Sequence, residues 1–493
     1  MSLTPEYLKE ERNKEWRAEL RAKTKNKDRM LIPRVKMPEL APDIRVKYQD
    51  REVNMGLEPA QAQTEATRCM DCANPTCIEG CPVNINIPKF IKYIEKGEIL
   101  NAAATLKETN ALPAVCGRVC PQEKQCESRC FYVDKLDKQA VAIGHLERFA
   151  ADFERNSGVS NIPETAKPNG IKVAAVGSGP ASLSFAGDMV KYGYDVTVFE
   201  ALHEIGGVLK YGIPEFRLPN SVVDFELENL RKMGVKFETN YIVGRTSSFD
   251  DLKAEGYEGF FVASGAGLPR FMEIPGENYN GILSSNEYLT RVNLMGASTS
   301  ISDTPVLRGK NVAVVGGGNT AMDSVRTALR LGAERAIIVY RRSEAEMPAR
   351  IEEVHHAKEE GVEFMTLCNP LEYFADEKGR VKGMRLNRMG LGEPDASGRR
   401  RPMPIDGSEF ELDVDLVIVA VGVSPNPLVP SCLPDLKVSK WGTIIVDEDK
   451  MQSSISEMFA GGDIVRGGAT VILAMGDGRK AAENMNKYLQ NID

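Results

Sequence analysis

No stretch of this 493-residue chain approaches the roughly 18 consecutive apolar residues of a membrane span. The first twenty residues, MSLTPEYLKEERNKEWRAEL, lack the apolar core of a secretion signal. The expected compartment is therefore the cytoplasm. Positive charge is in deficit: 62 Lys and Arg against 70 Asp and Glu leave a net charge of −8, which argues against a general nucleic-acid binder. Two of the ten cysteines, Cys368 and Cys432, stand alone, and nothing pairs either one as a redox disulfide. The other eight crowd between Cys69 and Cys130. In a chain without a secretion signal, such crowding reads as metal or cluster ligands rather than disulfides. The length suggests about three domains at roughly 150 residues each, and a 42% hydrophobic content is enough for sizeable cores.

The pattern that organises the rest runs over residues 171–200, IKVAAVGSGPASLSFAGDMVKYGYDVTVFE. An apolar run over 173–176 is short enough for a buried parallel strand. Gly177, Gly179 and Ser182 follow at the spacing of the dinucleotide fingerprint. A helix is predicted over about 181–192, and a second strand over 195–199 ends on Glu200. The first Gly permits the tight turn, and the second lets backbone approach a pyrophosphate. The third position must be small for the helix to pack on the strand. Ser182 is larger there than the usual Gly or Ala. The helix N-terminus offers free N–H groups to phosphates, and Glu200 can hydrogen-bond ribose hydroxyls.

Ahead of this unit lie two cysteine runs. Cys69, Cys72, Cys77 and Cys81 form C-x2-C-x4-C-x3-C and are followed by Pro82. Cys116, Cys120, Cys126 and Cys130 form C-x3-C-x5-C-x3-C. Zinc, iron–sulfur clusters and plain reduced thiols are the alternatives. The runs are not two matched C-x2-C knuckles, and a Cys-Pro step ends the first. Both features favour two 4Fe-4S clusters, in which the last Cys of a run ligates the other cluster. Counting alone leaves Cys116 eligible as the eighth ligand.

A second fingerprint follows the predicted strand over 312–315: Gly316, Gly318, Asn319 and Ala321, then a helix through Leu331. Its second strand, over 336–340, ends on Arg341 and Arg342 where the first unit has Glu200. An acid binds a free 2′-hydroxyl, whereas guanidiniums attract a 2′-phosphate. The second unit should therefore prefer NADP(H), unless both arginines are merely solvated. Each unit later has a strand ending in Gly, over 263–267 and 417–422. This duplication is the layout of two-dinucleotide flavoproteins, with FAD in the first site and NAD(P)H in the second.

The remaining expectations are local. Gly206 and Gly207 suit close backbone approach to a cofactor, or a surface turn. Asp463, at the end of a strand over 458–462, can bind FAD hydroxyls. A helix expected to start at Gly476 would aim its N-terminus at the flavin. The Arg399–Arg401 run reads as a solvated hairpin turn, and His355 and His356 as exposed. Residues 1–55 read as a solvated tail or a partner-wrapping segment.

Five stretches together mark a family resemblance: CMDCANPTCIEGCPVNINIP, CGRVCPQEKQCESRC, VAVVGGGNTAMD, VYRRSEAEMPA and FAGGDIVRGGATVILAMGDGRKAA. They resemble the small (beta) subunits of NADPH-dependent glutamate synthase and the large subunits of NADH-dependent ferredoxin:NADP oxidoreductase. The N-terminal part also resembles that of dihydropyrimidine dehydrogenase. The resemblance covers about residue 40 to the end. It implies an α/β protein: a helical N-terminal domain with two 4Fe-4S clusters (1–165), an FAD-binding Rossmann-like domain (166–305 and 426–493) and an NADP(H)-binding one (306–425). It implies that Cys69, Cys72, Cys77 and Cys130 hold one cluster. Cys81, Cys120, Cys126 and Glu147 would hold the other, with Cys116 spare.

The implied activity is an NADPH-dependent oxidoreductase that passes electrons through FAD and the clusters to a partner subunit. That partner is a glutamate synthase large subunit, a small flavoprotein or ferredoxin. Bifurcation with ferredoxin and NADH is the alternative enzyme, and a non-catalytic electron-transfer module the alternative class. Hydride transfer needs no side-chain acid or base, so no catalytic residue is expected. Glutamine hydrolysis in the amidotransferase class uses an N-terminal Cys nucleophile, whereas Ser2 follows Met1 here, and no further domain remains unassigned. The chain alone is expected not to make glutamate.

Overall fold

The computed structural model describes residues 3–491. Met1, Ser2, Ile492 and Asp493 lie outside the described residues, and with them the expectation placed on Ser2. The N-terminal third is helical. Its helices Pro59–Thr67, Ile87–Lys96 and Pro113–Val119 each place Pro in the first two positions, where the missing N–H costs nothing. Asn86 caps the second by accepting from the Lys89 N–H at 3.3 Å. The helix Ile143–Ser157 crosses Pro113–Val119 at Gly117, where a Cβ would lie 2.5 Å from the Arg148 nitrogen. That close crossing brings Glu147 beside the second cysteine run.

From Lys172 the chain builds two parallel sheets. The strands β1 (Lys172–Val176), β2 (Asp195–Phe199), β3 (Lys236–Glu238) and β4 (Tyr257–Val262) belong to the first. A short link, β5 (Leu268–Pro269), leads out of it. Then β6 (Ile282–Ser284), β7 (Asn311–Val315), β8 (Arg335–Tyr340) and β9 (Glu363–Thr366) build the second. An antiparallel sheet of β10 (Cys368–Ala375), β11 (Val381–Pro394), β12 (Arg400–Pro404) and β13 (Phe410–Asp413) is appended. The chain returns through β14 (Leu416–Val419), β15 (Val423–Ser424) and β16 (Met458–Ala460).

The first sheet has the order β16-β4-β1-β2-β3 and the second β6-β14-β7-β8-β9. In each, the fingerprint strand has its two neighbours on opposite sides. The crevice at its carboxyl end is the switch point where such sheets take ligands. Two antiparallel passes, β5 against β15, join the halves.

Three expectations change. The second unit begins before residue 306, because β6 pairs with β14 in its sheet; a three-residue strand gives no periodicity to read. The C-terminal helix is Val471–Leu489, with Thr470 as its N-cap, so its free N–H groups lie five residues before Gly476. Residues 3–55 are not a solvated tail. Arg17 and Arg21 pair with buried Asp71, and Arg29 with Glu95 at 2.8 Å. Arg45, 1% exposed, reaches Glu360 of the second unit at 2.9 Å. Val53 donates its N–H to the Phe216 carbonyl of the first unit at 2.9 Å. The segment straps all three parts together.

The helical part and the first sheet also share one continuous apolar core, in which Phe90 and Leu106 belong with Phe185 and Met475. The second unit has a core of its own around Val314, Met322 and Ile338.

Candidate cofactor and cluster sites

The first fingerprint loop is shaped by two glycines with different reasons to be glycine. Gly177 has φ +93°, and a Cβ there would lie 2.6 Å from the Ala263 carbonyl oxygen, so the fold itself demands it. Gly179 caps the helix Pro180–Lys191 at φ −69°, and nothing lies within 4 Å of where its Cβ would be. No packing contact among the described residues accounts for a glycine there. Gly206 and Gly207, at φ +129° and +55°, fold back on this loop: a Cβ on Gly207 would sit 3.0 Å from the Gly179 Cα. They lie against the fingerprint loop and not on a remote turn.

Polar groups converge on the same crevice. Glu200 accepts from Ser178, from its N–H at 2.9 Å and its hydroxyl at 2.5 Å, and from the Leu202 N–H at 2.8 Å. The Ser178 hydroxyl in turn accepts from Gly206 N–H at 3.0 Å. Ser182 is fully buried at the helix–strand contact, and its hydroxyl has no partner; the hydroxyl of Ser264, just past β4, has none either. Asp463 follows Gly462, whose φ of +74° and contact with Ala181 set it against the fingerprint helix. Burial raises the Asp463 carboxyl above its ordinary range. Burial also pushes Tyr211 up to about 12, with Asp463 and Glu200 adding to it.

The second fingerprint repeats the division. Gly316 (φ +144°) would place a Cβ 2.4 Å from the Ala420 carbonyl oxygen, whereas Gly318 meets only Pro348, at 4.0 Å. Asn319 accepts from the Arg350 N–H at 2.9 Å, and Ala321 is buried in the helix–sheet contact. The two arginines after β8 part company. Arg341 is exposed. Arg342 is buried, donates to the Arg400 carbonyl at 2.8 Å and pairs with Asp395 at 2.6 Å. The Arg399–Arg401 stretch is therefore anchored beside this site through its backbone.

The cysteines gather in two places. Cys69, Cys72, Cys77 and Cys130 line one apolar cavity with Ile87 and Tyr132. Burial raises all four thiols, Cys72 to about 12, where the charges of Cys69 and Cys130 add to it. A cation bound among them removes that penalty, since a coordinating thiol is deprotonated outright. Cys81, Cys116, Cys120 and Cys126 are buried around Glu147. Each of these thiols is raised, with the Glu147 charge among the causes. Burial pushes Glu147 itself up to about 8. This second set abuts the C-terminal helix: the Cys116 Sγ lies 3.5 Å from the Met475 Sδ, and a Cβ on Gly476 would lie 3.0 Å from the Pro82 carbonyl oxygen.

Comparison with known proteins agrees with this geometry. Residues 45–159 match the dihydropyrimidine dehydrogenase domain II, 4Fe-4S cluster family. Residues 171–478 match the pyridine nucleotide-disulphide oxidoreductase family. The glutamate synthase [NADPH] small chain of Azospirillum brasilense is 37% identical over 92% of this chain and 94% of its own length. The chain belongs to the glutamate synthase small-chain family.

Within this family-wide likeness lie other activities. The NADP(+)-dependent formate dehydrogenase subunit beta of Moorella thermoacetica is 40% identical over 84% of this chain, but over only 60% of its own length. FprA of Mycobacterium tuberculosis in complex with NADPH shares the fold, with a TM-score of 0.56 at 21% identity over 66% of this chain and 85% of that one. This small-chain family member is an oxidoreductase with a 4Fe-4S domain ahead of a pyridine-nucleotide oxidoreductase domain. No helix among the described residues is long and apolar enough to cross a membrane.

Several site residues escape sequence reading. Ser178 and Tyr211 sit among the first-site groups, and Asp477 orients Gly462 by accepting its N–H at 3.0 Å. Arg12 donates to the Asp71 carbonyl at 2.7 Å, joining Arg17 and Arg21 around the loop between Cys69 and Cys72. Only a positive-φ Asp at position 71 hints at that loop, and sequence does not show φ. His356, expected to be exposed, is buried with its Nε2 3.2 Å from Glu39. Glu39, Glu352 and His356 converge, but Arg45 and Arg350 already neutralise the two carboxylates. The node reads as ion pairing under the strap.

Proposed function

We propose that the chain is an electron-input subunit that oxidises NADPH and hands electrons to a partner, as a glutamate synthase small chain. When bound, FAD accepts a hydride from NADPH, and two 4Fe-4S clusters relay single electrons. The residues supply position. Gly316, Gly318, Asn319 and Ala321 present a helix N-terminus to the nicotinamide cofactor's pyrophosphate, and Arg341 offers a guanidinium to its 2′-phosphate. Gly177, Gly179, Ser182, Glu200, Gly206, Gly207 and Asp463 cradle FAD. Cys69, Cys72, Cys77 and Cys130 hold one cluster, and Cys81, Cys120, Cys126 and Glu147 the other.

The observation that carries this reading is the seam between the second cysteine set and the first dinucleotide unit. Cys116 and Pro82 touch Met475 and Gly476, in the first two turns of the helix Val471–Leu489. The flavin-type unit and the buried cysteines share one core. The Cys69 set is less buried than the Cys81 set, which suits it to face a partner. The order is then NADPH, FAD, the Cys81 set, the Cys69 set, partner. The likeness to glutamate synthase small chains, at 37% identity over 92% of this chain, supports a glutamate synthase large chain as that partner.

The test is stepwise and anaerobic. NADPH should bleach the purified flavoprotein rapidly, and electron paramagnetic signals of reduced clusters should follow. Glutamate should form from glutamine and 2-oxoglutarate only after a large chain is added. A flavin that NADPH leaves oxidised removes the enzyme reading. A reduced protein that never supports glutamate formation with any large chain removes the glutamate synthase reading alone.

A further inference from the structure

Two groups compete to be the last ligand of the Cys81 set, Glu147 and Cys116, and one side chain touches both. Asn110 is fully buried in the turn before the helix Pro113–Val119. Its Oδ1 accepts from the Leu112 N–H at 2.9 Å, which fixes which end of the amide is oxygen. With the oxygen assigned, Nδ2 donates to the Glu147 Oε1 at 2.8 Å. The same Oδ1 lies 3.6 Å from the Cys116 Sγ, within reach of its S–H.

We infer that Asn110 is a positioning residue that selects the eighth cluster ligand, holding the Glu147 side chain at the second cysteine set and tethering the Cys116 Sγ on its other side. This rests on the Glu147 ligation proposed above. One Glu147 oxygen takes the amide hydrogen bond, and the other is left for iron. The amide oxygen tethers the Cys116 Sγ at 3.6 Å, so one side chain places both candidate ligands. Partners of a ligand that orient it in this way tune metal sites as the ligands do. Nothing in the spacing of the cysteines indicates this residue; it lies six positions before Cys116 and thirty-seven before Glu147.

The experiment compares anaerobically purified Asn110→Leu, Glu147→Ala, Cys116→Ser and the double variant Asn110→Leu/Cys116→Ser. Iron, acid-labile sulfide, flavin and the reduced-state electron paramagnetic spectrum are read in each. Asn110→Leu keeps the side-chain size and removes the contacts to Glu147, to Cys116 and to the Leu112 N–H. It should keep the spectrum of one cluster and change that of the other, with flavin retained. The double variant should lose the changed cluster, about half the iron, because the substitute thiol is gone. A wild-type spectrum and midpoint potential in Asn110→Leu, with Glu147→Ala perturbed, overturns the selector role and leaves Glu147 a ligand. A cluster lost in Cys116→Ser, with Glu147→Ala unchanged, overturns the ligation reading itself. If Asn110→Leu sheds flavin, Asn110→Ser, which keeps a hydrogen-bonding hydroxyl, takes its place under the same criteria.

Discussion

Arg342 and Asp395 form an ion pair at 2.6 Å at the turn of the β11–β12 hairpin, and the pair divides the Arg341–Arg342 dipeptide into an exposed cation and a structural one. Sequence reasoning gives both arginines to the 2′-phosphate. The structure spends Arg342 on holding the hairpin, through Asp395 and the Arg400 carbonyl.

Arg341→Ala should therefore carry most of the coenzyme preference. A charge-assisted contact is worth about 1.5–3 kcal/mol, which is roughly 10- to 150-fold in affinity. Steady-state kinetics should show the Michaelis constant for NADPH rising by that factor while the constant for NADH barely moves. Asp395→Ala, which frees Arg342 and loosens the hairpin, should have a smaller effect on both coenzymes. Equal losses for NADPH and NADH in Arg341→Ala would count against any 2′-phosphate contact there.

The glycines of the first site should separate folding from binding. Gly179→Val adds a side chain where no protein atom lies within 4 Å, at a backbone angle any residue adopts. The variant should fold and keep its iron but purify without yellow flavin. Gly478→Ala is the contrast: its Cβ would lie 2.1 Å from the Ala181 carbonyl oxygen, where the helix Val471–Leu489 crosses Pro180–Lys191. Overpacking typically costs about 1–3 kcal/mol, and backbone that cannot give way places this case at the upper end or beyond. Thermal unfolding and flavin absorbance together distinguish the two. Full flavin content in folded Gly179→Val would refute the assignment of the first site.

Acid stability should carry the signature of Glu352. Burial works to raise its carboxyl, but Arg350, His145 and His356 outweigh it and hold the carboxyl at about 2, against an ordinary value of 4.5. A depressed carboxyl stabilises the fold above its unfolded value, and the contribution is lost as pH falls through the folded value. The window is thus from about pH 4.5 down to about pH 2, and the full shift is on the order of 3 kcal/mol. Glu352→Gln should be less stable than the native chain at pH 6, with the gap closing across that window. Denaturant midpoints at pH 6, 4 and 3 measure it; a gap that stays constant with pH would mean that the pairing with Arg350 contributes nothing through charge.

Much of the fold was legible because its signals are local. A buried parallel strand, a Gly-rich turn and a helix follow one another within thirty residues. Their steric demands, φ +93° at Gly177 and +144° at Gly316, can be met only by particular residues. Cysteine spacing pointed to a 4Fe-4S domain because three close thiols, Cys69, Cys72 and Cys77, fall within nine residues. The β2 boundaries, Asp195–Phe199, are those the alternation of apolar residues predicts.

What the tertiary structure decided are contacts between residues far apart in the chain, which leave no local trace. Cys130 joins Cys69, Cys72 and Cys77 at one cavity across more than fifty positions. Arg45 meets Glu360 from 315 positions away and turns an apparent tail into a strap. Arg342 is paired with Asp395 of a hairpin 53 residues later. Asn110 stands between Cys116 and Glu147 only because Gly117 lets two helices cross with a Cβ position 2.5 Å from Arg148. The sequence by itself determined which cofactor chemistries the chain is built for, since those rest on spacing within single turns. Which side chain serves each one was decided by packing, because close approach between distant elements sets where a charge is free, paired or buried.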